Sequence, residues 1–492
     1  MGFYILLLIM QFFSRKFFLE YLGTEVLGLN STLQNILQFL NLAELGISAA
    51  AGFTLYKPLS ESDYDTINEV VSLQGYLYKR IGVFVLCVGV LTMMFFPLIF
   101  KKINLPFWYP YAAFSVFLVG SLLSYFVNYR QIVLTANQQD YKVQLCYKPV
   151  LFIKLAFQII AVRYSSFGFV LWLILELIGS IASAILLQIE TKQSAPYLKK
   201  VKRSFKSLTR QYHDFTIKIK QLFVHRIAQF VLSQTSPLII YGYLSLTVVA
   251  LYGNYHMIML GISMFVNAAF NSVSAGVGSL VVSSTKDSII RVYKELFSLR
   301  FFVATFACSC IYILTPDFIS LWIGAEYLLP NSTLILMLIT VFIGIIRGAT
   351  DNFLFAYGLY QDIYAPMCEA VLNLGLSILL GYFYGLNGVL SGVIISLLII
   401  ILGWKPYFLF TKKLKGYFIK YHLNFVFHII LAGISIALSF WIMRLLNLEF
   451  SLTTAGFIYK LLYSASIIGI CQFAIFYIFN TGIRSFVVRL IK

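Results

Sequence analysis

Apolar stretches of about 20 residues, the length that crosses a hydrocarbon core of roughly 30 Å, recur along the whole chain with only short polar breaks. The pattern predicts fourteen helical spans, near residues 2–22, 27–56, 79–100, 109–136, 144–163, 167–189, 222–241, 247–282, 297–316, 330–356, 364–384, 387–410, 423–446 and 455–480. Polar residues are not confined to the breaks. In the second span Asn30, Gln34, Gln38, Asn41, Glu44 and Ser48 fall, at 100° per residue, within an arc of roughly 120° along about 27 Å of helix axis. The eighth span carries a narrower stripe of His256, Ser263, Asn267, Asn271, Ser274 and the small Gly278, within roughly 60–80° of arc. Either stripe can join two helices by hydrogen bonds, but two matched stripes favour the wall of a hydrated cavity.

The two stripes belong to an internal repeat with an offset of about 220 residues. Leu27-Gly28-Leu29-Asn30 matches Leu251-Tyr252-Gly253-Asn254, Pro97 matches Pro316, and Tyr164 to Gly168 matches Tyr384 to Gly388. Both copies start on the same side of the bilayer, so the repeats are parallel, an arrangement expected to put a substrate cavity between two lobes. The predicted organisation is an N-terminal lobe (1–189, spans 1–6), a basic cytoplasmic linker (190–221), a C-terminal lobe (222–410, spans 7–12) and an appended pair of spans with a tail (411–492). The linker carries Phe205, Leu208, Tyr212, Phe215 and Ile219 at near-helical spacing, which suits an amphipathic helix on anionic lipid or a tether anchored by charge.

Composition agrees with lipid as the solvent: 60% of residues are hydrophobic and 11% charged. With both termini placed in the cytoplasm, cytoplasmic loops hold about 26 Lys and Arg and the opposite loops about 4, as the positive-inside rule demands. The net charge of +18 is therefore a topology signal, and its spread over many loops excludes nucleic-acid binding. Six cysteines lie scattered in apolar segments without metal-ligand spacing, so neither a metal nor a cofactor is expected. The N-terminal run lacks a basic n-region and a small-residue cleavage site and reads as a retained first helix.

Ionisable residues within spans cost roughly 2.5–3.5 kcal/mol on insertion scales and so face a cavity or pair with one another. Arg15 and Lys16 interrupt an apolar run too short to cross alone, which puts at least one of them at membrane depth. Arg130 lies near the cytoplasmic end of span 4, where it is a ligand contact or an anchor. Lys154 and Glu176 occupy spans 5 and 6. Arg347 and Asp351, four apart on span 10, are spaced for an intrahelical pair, and Glu369 and Asn373, four apart on span 11, offer oxygens for ion coupling.

Ser14-Arg15, Glu20-Tyr21-Leu22-Gly23, Leu27 to Asn30, Leu42-Ala43-Glu44-Leu45-Gly46-Ile47 and Tyr56-Lys57-Pro58-Leu59 give the chain a family likeness, strongest over 10–82. It resembles the polysaccharide flippases of the multidrug, oligosaccharidyl-lipid and polysaccharide exporter superfamily. The resemblance implies a multi-pass protein of the bacterial plasma membrane, not an enzyme, that moves polyprenyl-pyrophosphate-linked oligosaccharide repeat units to the outer leaflet by alternating access. Membrane lipids, glycosyltransferases and a polymerase of the same pathway are the implied partners. Arg15, with Arg130 and Arg347, is expected to hold the pyrophosphate. Glu44, Gln34, Gln38, Asn41, Asn267 and Asn271 are expected to line the sugar path. Span 7 departs from a twofold cationic cavity, because the repeat sets Gln234 opposite Arg15. A cation-coupled multidrug exporter of the same superfamily is the competing expectation. An integral-membrane polymerase is disfavoured because the longest outer loop, 317–329, is short and bare.

Overall fold

The computed structural model describes residues 2–44, 46–101, 103–357, 359 and 364–491, leaving out the side chains of 2–5, 43, 49, 214, 216–218, 220–226, 228, 229, 233, 271–276, 279, 282, 283, 490 and 491. The described residues are helical almost throughout and contain no strand. Among the described residues ten helices are long and apolar enough to cross a membrane, which makes this a multi-pass membrane protein. Helices suit the environment because every backbone N–H and C=O is satisfied within the segment. One candidate, Tyr364–Lys412, has 49 residues. At about 1.5 Å per residue it is more than twice the depth of the hydrocarbon core.

Packing divides the chain into two compact units, residues 1–250 and 251–492. The first holds α1 (Gly2–Leu40), a 3-10 turn (Asn41–Glu44), α2 (Ile47–Ser60), α3 (Tyr64–Met94), the short α4 (Phe96–Ile99) and α5 (Trp108–Phe126). A second 3-10 turn (Asn128–Gln131) leads to α6 (Ile132–Ala136), α7 (Asp140–Tyr164), α8 (Gly168–Ser194), α9 (Phe205–Gln211) and α10 (His213–Tyr243). Helix α11 (Leu246–Ser283) begins in the first unit and continues in the second. The second unit goes on with α12 (Lys286–Trp322), α13 (Asn331–Ala356), α14 (Tyr364–Leu397), a π-helical turn (Leu398–Trp404), α15 (Lys405–Lys412), α16 (Phe418–Leu446), α17 (Thr454–Phe479) and α18 (Thr481–Ile491). Packing counts α10 with the first unit, against α1 and α2, where the sequence repeat puts it at the head of the second.

Between the expected spans 1 and 2 the backbone is non-helical at Gly23 (φ 84°, ψ 168°), which divides α1 into two helical arms without an intervening loop. One expected feature is corrected: span 2 does not run unbroken over 27–56, because the α-helix stops at Leu40, tightens into a 3-10 turn and resumes at Ile47 after Gly46 (φ 99°). A positive φ is open to glycine without Cβ strain, and a 3-10 turn advances about 120° per residue. Glu44 and Ser48 therefore leave the arc that a regular helix would have given them.

The linker is not one amphipathic helix. Helix α8 ends at Ser194, the chain runs non-helically to Ser204, and α9 has seven residues. That non-helical segment is laid on α3 by side chains that satisfy its backbone. Asn68 Nδ2 donates to the Tyr197 carbonyl (3.1 Å) while Asn68 Oδ1 accepts from Lys199 N (2.7 Å), and Ser72 Oγ accepts from Val201 N (3.0 Å). Glu69 takes the ion pair of Arg203 (2.6 Å) and a hydrogen bond from the Tyr212 hydroxyl (2.7 Å).

In the second unit, α16 and α17 are fastened to α12 at three levels. Ser298 meets His428 (2.9 Å), Gln472 donates to Ser309 (3.2 Å) and Lys460 pairs with Asp317. Helix α14 folds back on itself at Gly385 (φ 57°, ψ −134°). Its arms touch through Gly388, whose added Cβ would lie 1.9 Å from the Leu380 carbonyl oxygen, and Gly392, whose Cβ would lie 2.4 Å from Ser377 N. Small residues at i and i+4 let helix backbones approach this closely where lipid gives no hydrophobic drive.

Candidate functional site

Three polar clusters lie inside the first unit. Arg15, on α1, donates from Nη2 to the Ala250 carbonyl (3.4 Å), so the guanidinium sits against α11. Farther along, the turn Asn41–Glu44 gathers tyrosines. The Tyr78 hydroxyl donates to Glu44 Oε1 (2.7 Å), Ser48 bonds both Tyr78 and the same carboxylate oxygen, and Ser121 and Tyr125 both donate to Asn41 Oδ1 (2.9 Å each). Both residues are thus engaged within the unit by α2, α3 and α5. Gln34 and Gln38 are exposed, whereas Asn30 and Asn35, on neighbouring turns, are buried. The third cluster joins α7 to α8: Lys154 Nζ lies 2.7 Å from Glu176 Oε1, and Gln158 donates to Glu176 Oε2 (3.0 Å). These two deep charges answer each other.

Arg130 stands apart from Arg15, in the 3-10 turn after α5. Its Nε donates to the Tyr129 hydroxyl (3.3 Å), and it lines a cavity of about 460 Å³ bounded by that turn, the end of α8 and the first linker residues.

In the second unit the structure brings together Arg347 and Asp351 of span 10, Glu369 of span 11 and Lys405 of span 12. Arg347 Nε donates to Asp351 Oδ2 (2.9 Å), and the other carboxylate oxygen takes an ion pair from Lys405 Nζ (2.6 Å). Glu369 lies within electrostatic reach of all three, only 2% exposed, with Oε1 lacking a hydrogen-bond partner. Asn373, 1% exposed, donates to Ser396 (3.2 Å) and likewise has an unpartnered Oδ1. Lys405 follows the π-helical turn, a local unwinding that often marks functional sites. Sequence reading missed it because a lysine at the end of span 12 reads as a positive-inside anchor.

Arg300 was missed for the same reason at the start of span 9. It is 3% exposed, donates from Nη1 to the Ile345 carbonyl (3.0 Å) and lies 4.3 Å over the Phe270 ring. On α11, Asn267 is exposed, His256 stacks on Tyr252 (5.4 Å), and the side chains of Asn271 and Ser274 lie outside the described residues. Among the described residues no group of His, Cys, Asp and Glu is placed to hold a metal ion.

No family model and no curated protein matches this sequence. Solved structures do match its fold. The lipid II flippase MurJ in an inward closed conformation is 14% identical, with a TM-score of 0.68 over 96% of this chain and 98% of that one. An inward-facing multidrug resistance MATE family transporter of the MOP superfamily is 14% identical, with a TM-score of 0.59 over 83% of this chain and 96% of that one. An outward-facing MATE transporter gives 13% and 0.51, over 84% and 94%. The chain therefore has the fold shared by the lipid II flippase and the MATE transporters of the MOP superfamily.

Proposed function

We propose that this protein is a flippase that carries a polyprenyl-pyrophosphate-linked oligosaccharide from the cytoplasmic to the outer leaflet of a bacterial plasma membrane by alternating access. In this reading the chain crosses fourteen times, with α1 and the Tyr364–Lys412 segment each crossing twice and both termini in the cytoplasm. The observation that carries the reading is the extent of the likeness. The lipid II flippase fold takes in 96% of the chain and the inward-facing MATE fold 83%. The likeness to the lipid II flippase takes in more of the chain than the likeness to the MATE transporter, which supports a lipid-linked cargo over a drug.

Arg15 is the residue proposed to meet the pyrophosphate. It is a cation on the first helix, part-buried where it donates to the Ala250 carbonyl, and burial strengthens the attraction between such a charge and an anion. Arg347 shares Asp351 with Lys405, and Arg130 stands apart from Arg15 in the cavity at the 3-10 turn, so neither carries the role as directly. Gln34, Gln38 and Asn267, the exposed amides of the two stripes, are the contacts proposed for sugar hydroxyls. Arg15→Ala should abolish surface polysaccharide while the protein stays at normal level in the membrane. Intact polymer in that variant would overturn the assignment, and a gain of drug resistance on expression would favour the exporter.

Glu369 and Asn373 are proposed to couple transport to a monovalent cation or a proton, because each keeps a buried oxygen without a hydrogen-bond partner and Glu369 lies within electrostatic reach of Arg347, Asp351 and Lys405. Glu369→Gln should remove any dependence of transport on the coupling-ion gradient; unchanged dependence would overturn the site.

A further inference from the structure

The cavity beside Arg130 is a surplus of positive charge with nothing in the fold to use it. Its volume of about 460 Å³ falls within the range of small-ligand sites (roughly 300–1,000 Å³). Arg130 and Lys192 line it together with the amides of Asn128, Gln131 and Gln188 and the Thr191 hydroxyl, and no Asp or Glu is among its lining residues. The nearby carboxylate, Glu190, is taken by Lys142 (3.3 Å) and Ser194 (2.6 Å). Lys192 has neither a hydrogen bond nor an ion pair among the described residues, so its charge is available.

The helix that supplies Lys192 also carries an apolar track. Ile174, Ile178, Ile181 and Ile185 of α8 are between 39% and 54% exposed, and exposed Gln188 and Lys192 continue the same row at i, i+4, i+7, i+11, i+14 and i+18 spacing. At 100° per residue all six fall within about 80° of arc. From Ile174 to Ile185 the axis rises about 16 Å, close to the roughly 15 Å half-thickness of a hydrocarbon core. An isoleucine track one leaflet long that ends in a cationic polar cavity has the two-part chemistry of a phospholipid.

We infer that this cavity binds the phosphate headgroup of an anionic glycerophospholipid of the cytoplasmic leaflet, with an acyl chain lying along Ile174, Ile178, Ile181 and Ile185. The leaflet rests on the topology of the flippase reading; the binding chemistry does not. The site joins three parts of the first unit, the 3-10 turn that breaks span 4, the end of α8 and the linker residues Ala195, Pro196 and Leu198. A bound headgroup would therefore tie the linker's origin to the break in span 4.

The test is native mass spectrometry of the full chain in detergent with phosphatidylglycerol or phosphatidylcholine at equal concentration. Wild type should retain phosphatidylglycerol at least fivefold over phosphatidylcholine. Lys192→Gln, which changes an exposed side chain, should cut that preference about fivefold, the effect of one surface charge on an anionic lipid. Arg130→Gln should lower it too, and Lys200→Gln, on the linker outside the cavity, should leave it unchanged. Equal retention of the two lipids by wild type, or an unchanged preference in Lys192→Gln, would overturn the site. Glycerol 1-phosphate separates the sources: failure to displace phosphatidylglycerol at tenfold excess supports a lipid, and full displacement would show a soluble headgroup is enough and overturn the acyl track. No cargo enters these measurements, so the site and the flippase reading fail independently.

Discussion

Lys405 Nζ lies 2.6 Å from Asp351 Oδ1, binding the helix that follows the π-helical turn to α13. Asp351 already accepts from Arg347 through its other oxygen, so one carboxylate neutralises two cations from two helices. Removing the shared partner of a buried charge cluster is worse than removing one of the sharers, because it leaves charges uncompensated in low dielectric. Asp351→Asn should cost about 3–5 kcal/mol. Arg347→Gln should cost clearly less, since Lys405 keeps Asp351 paired. Thermal unfolding of the purified variants in detergent gives the order, and a Tm loss for Asp351→Asn no larger than that of Arg347→Gln would show that the shared geometry contributes little.

Arg300 lies where Gly348 leaves room. A Cβ at position 348 would come within 2.1 Å of Arg300 Nη1, so even alanine must push the guanidinium off the Phe270 ring and the Ile345 carbonyl. Gly348→Ala should therefore destabilise by about 1–3 kcal/mol, the usual cost of overpacking. The same change made in an Arg300→Met background should cost much less. Additive losses in that double-mutant cycle would mean that the two residues do not interact.

The hairpin within α14 depends on backbone contact at two glycines. Gly388→Val puts a branched side chain where the Leu380 carbonyl stands, and Gly392→Val does the same at Ser377 N. Both should deplete folded protein from the membrane fraction severalfold. Gly375→Ala, with nothing within 4 Å of its Cβ, should have no such effect. Equal accumulation of all three would sink the close-packing account.

The linker should come loose when its anchors on α3 are cut. Asn68 makes two of the hydrogen bonds that hold residues 197–201, at Tyr197 and Lys199, and Ser72 makes a third at Val201. An Asn68→Ala/Ser72→Ala variant should be cleaved by trypsin at Lys199, Lys200, Lys202 or Arg203 severalfold faster than wild type, with other cleavages unchanged. Uniform acceleration along the chain would indicate global destabilisation instead.

Tyr212 gives that linker a pH limit. Burial first, and then the hydrogen bond to Glu69, push its hydroxyl up to about 12 from an ordinary value of about 10. A group raised on folding contributes fully below its unfolded pKa and loses that contribution as pH rises through the folded one. The Tm gap between wild type and Tyr212→Phe should thus stay constant up to about pH 10 and close between about 10 and 12. A gap that closes below pH 9 would contradict the burial of this hydroxyl.

Legibility from sequence followed the range of the interaction. The Arg347 and Asp351 pair was readable because residues four apart on a helix are neighbours whatever surrounds them. Lys405, 54 positions from Asp351, gave no local sign of joining them. A regular 100° step keeps Glu44 and Ser48 in one continuous stripe, but the backbone tightens to a 3-10 turn from Asn41 and turns left-handed at Gly46. Arg300 and Lys405 lie near span ends, and hydropathy, which measures depth along one span, says nothing of which helix lies beside them.

By itself the sequence determined a multi-pass helical membrane protein, since hydropathy and helical period are properties of short windows and lipid admits few alternatives to a helix. It also marked which spans carry charge. The tertiary structure decided which charges meet, which polar residues are used up within a unit, and where helices break, because those outcomes depend on groups that chain separation hides and packing brings within a few ångströms. Lys154 with Glu176, Tyr78 with Glu44, and Lys405 with Asp351 are of this kind.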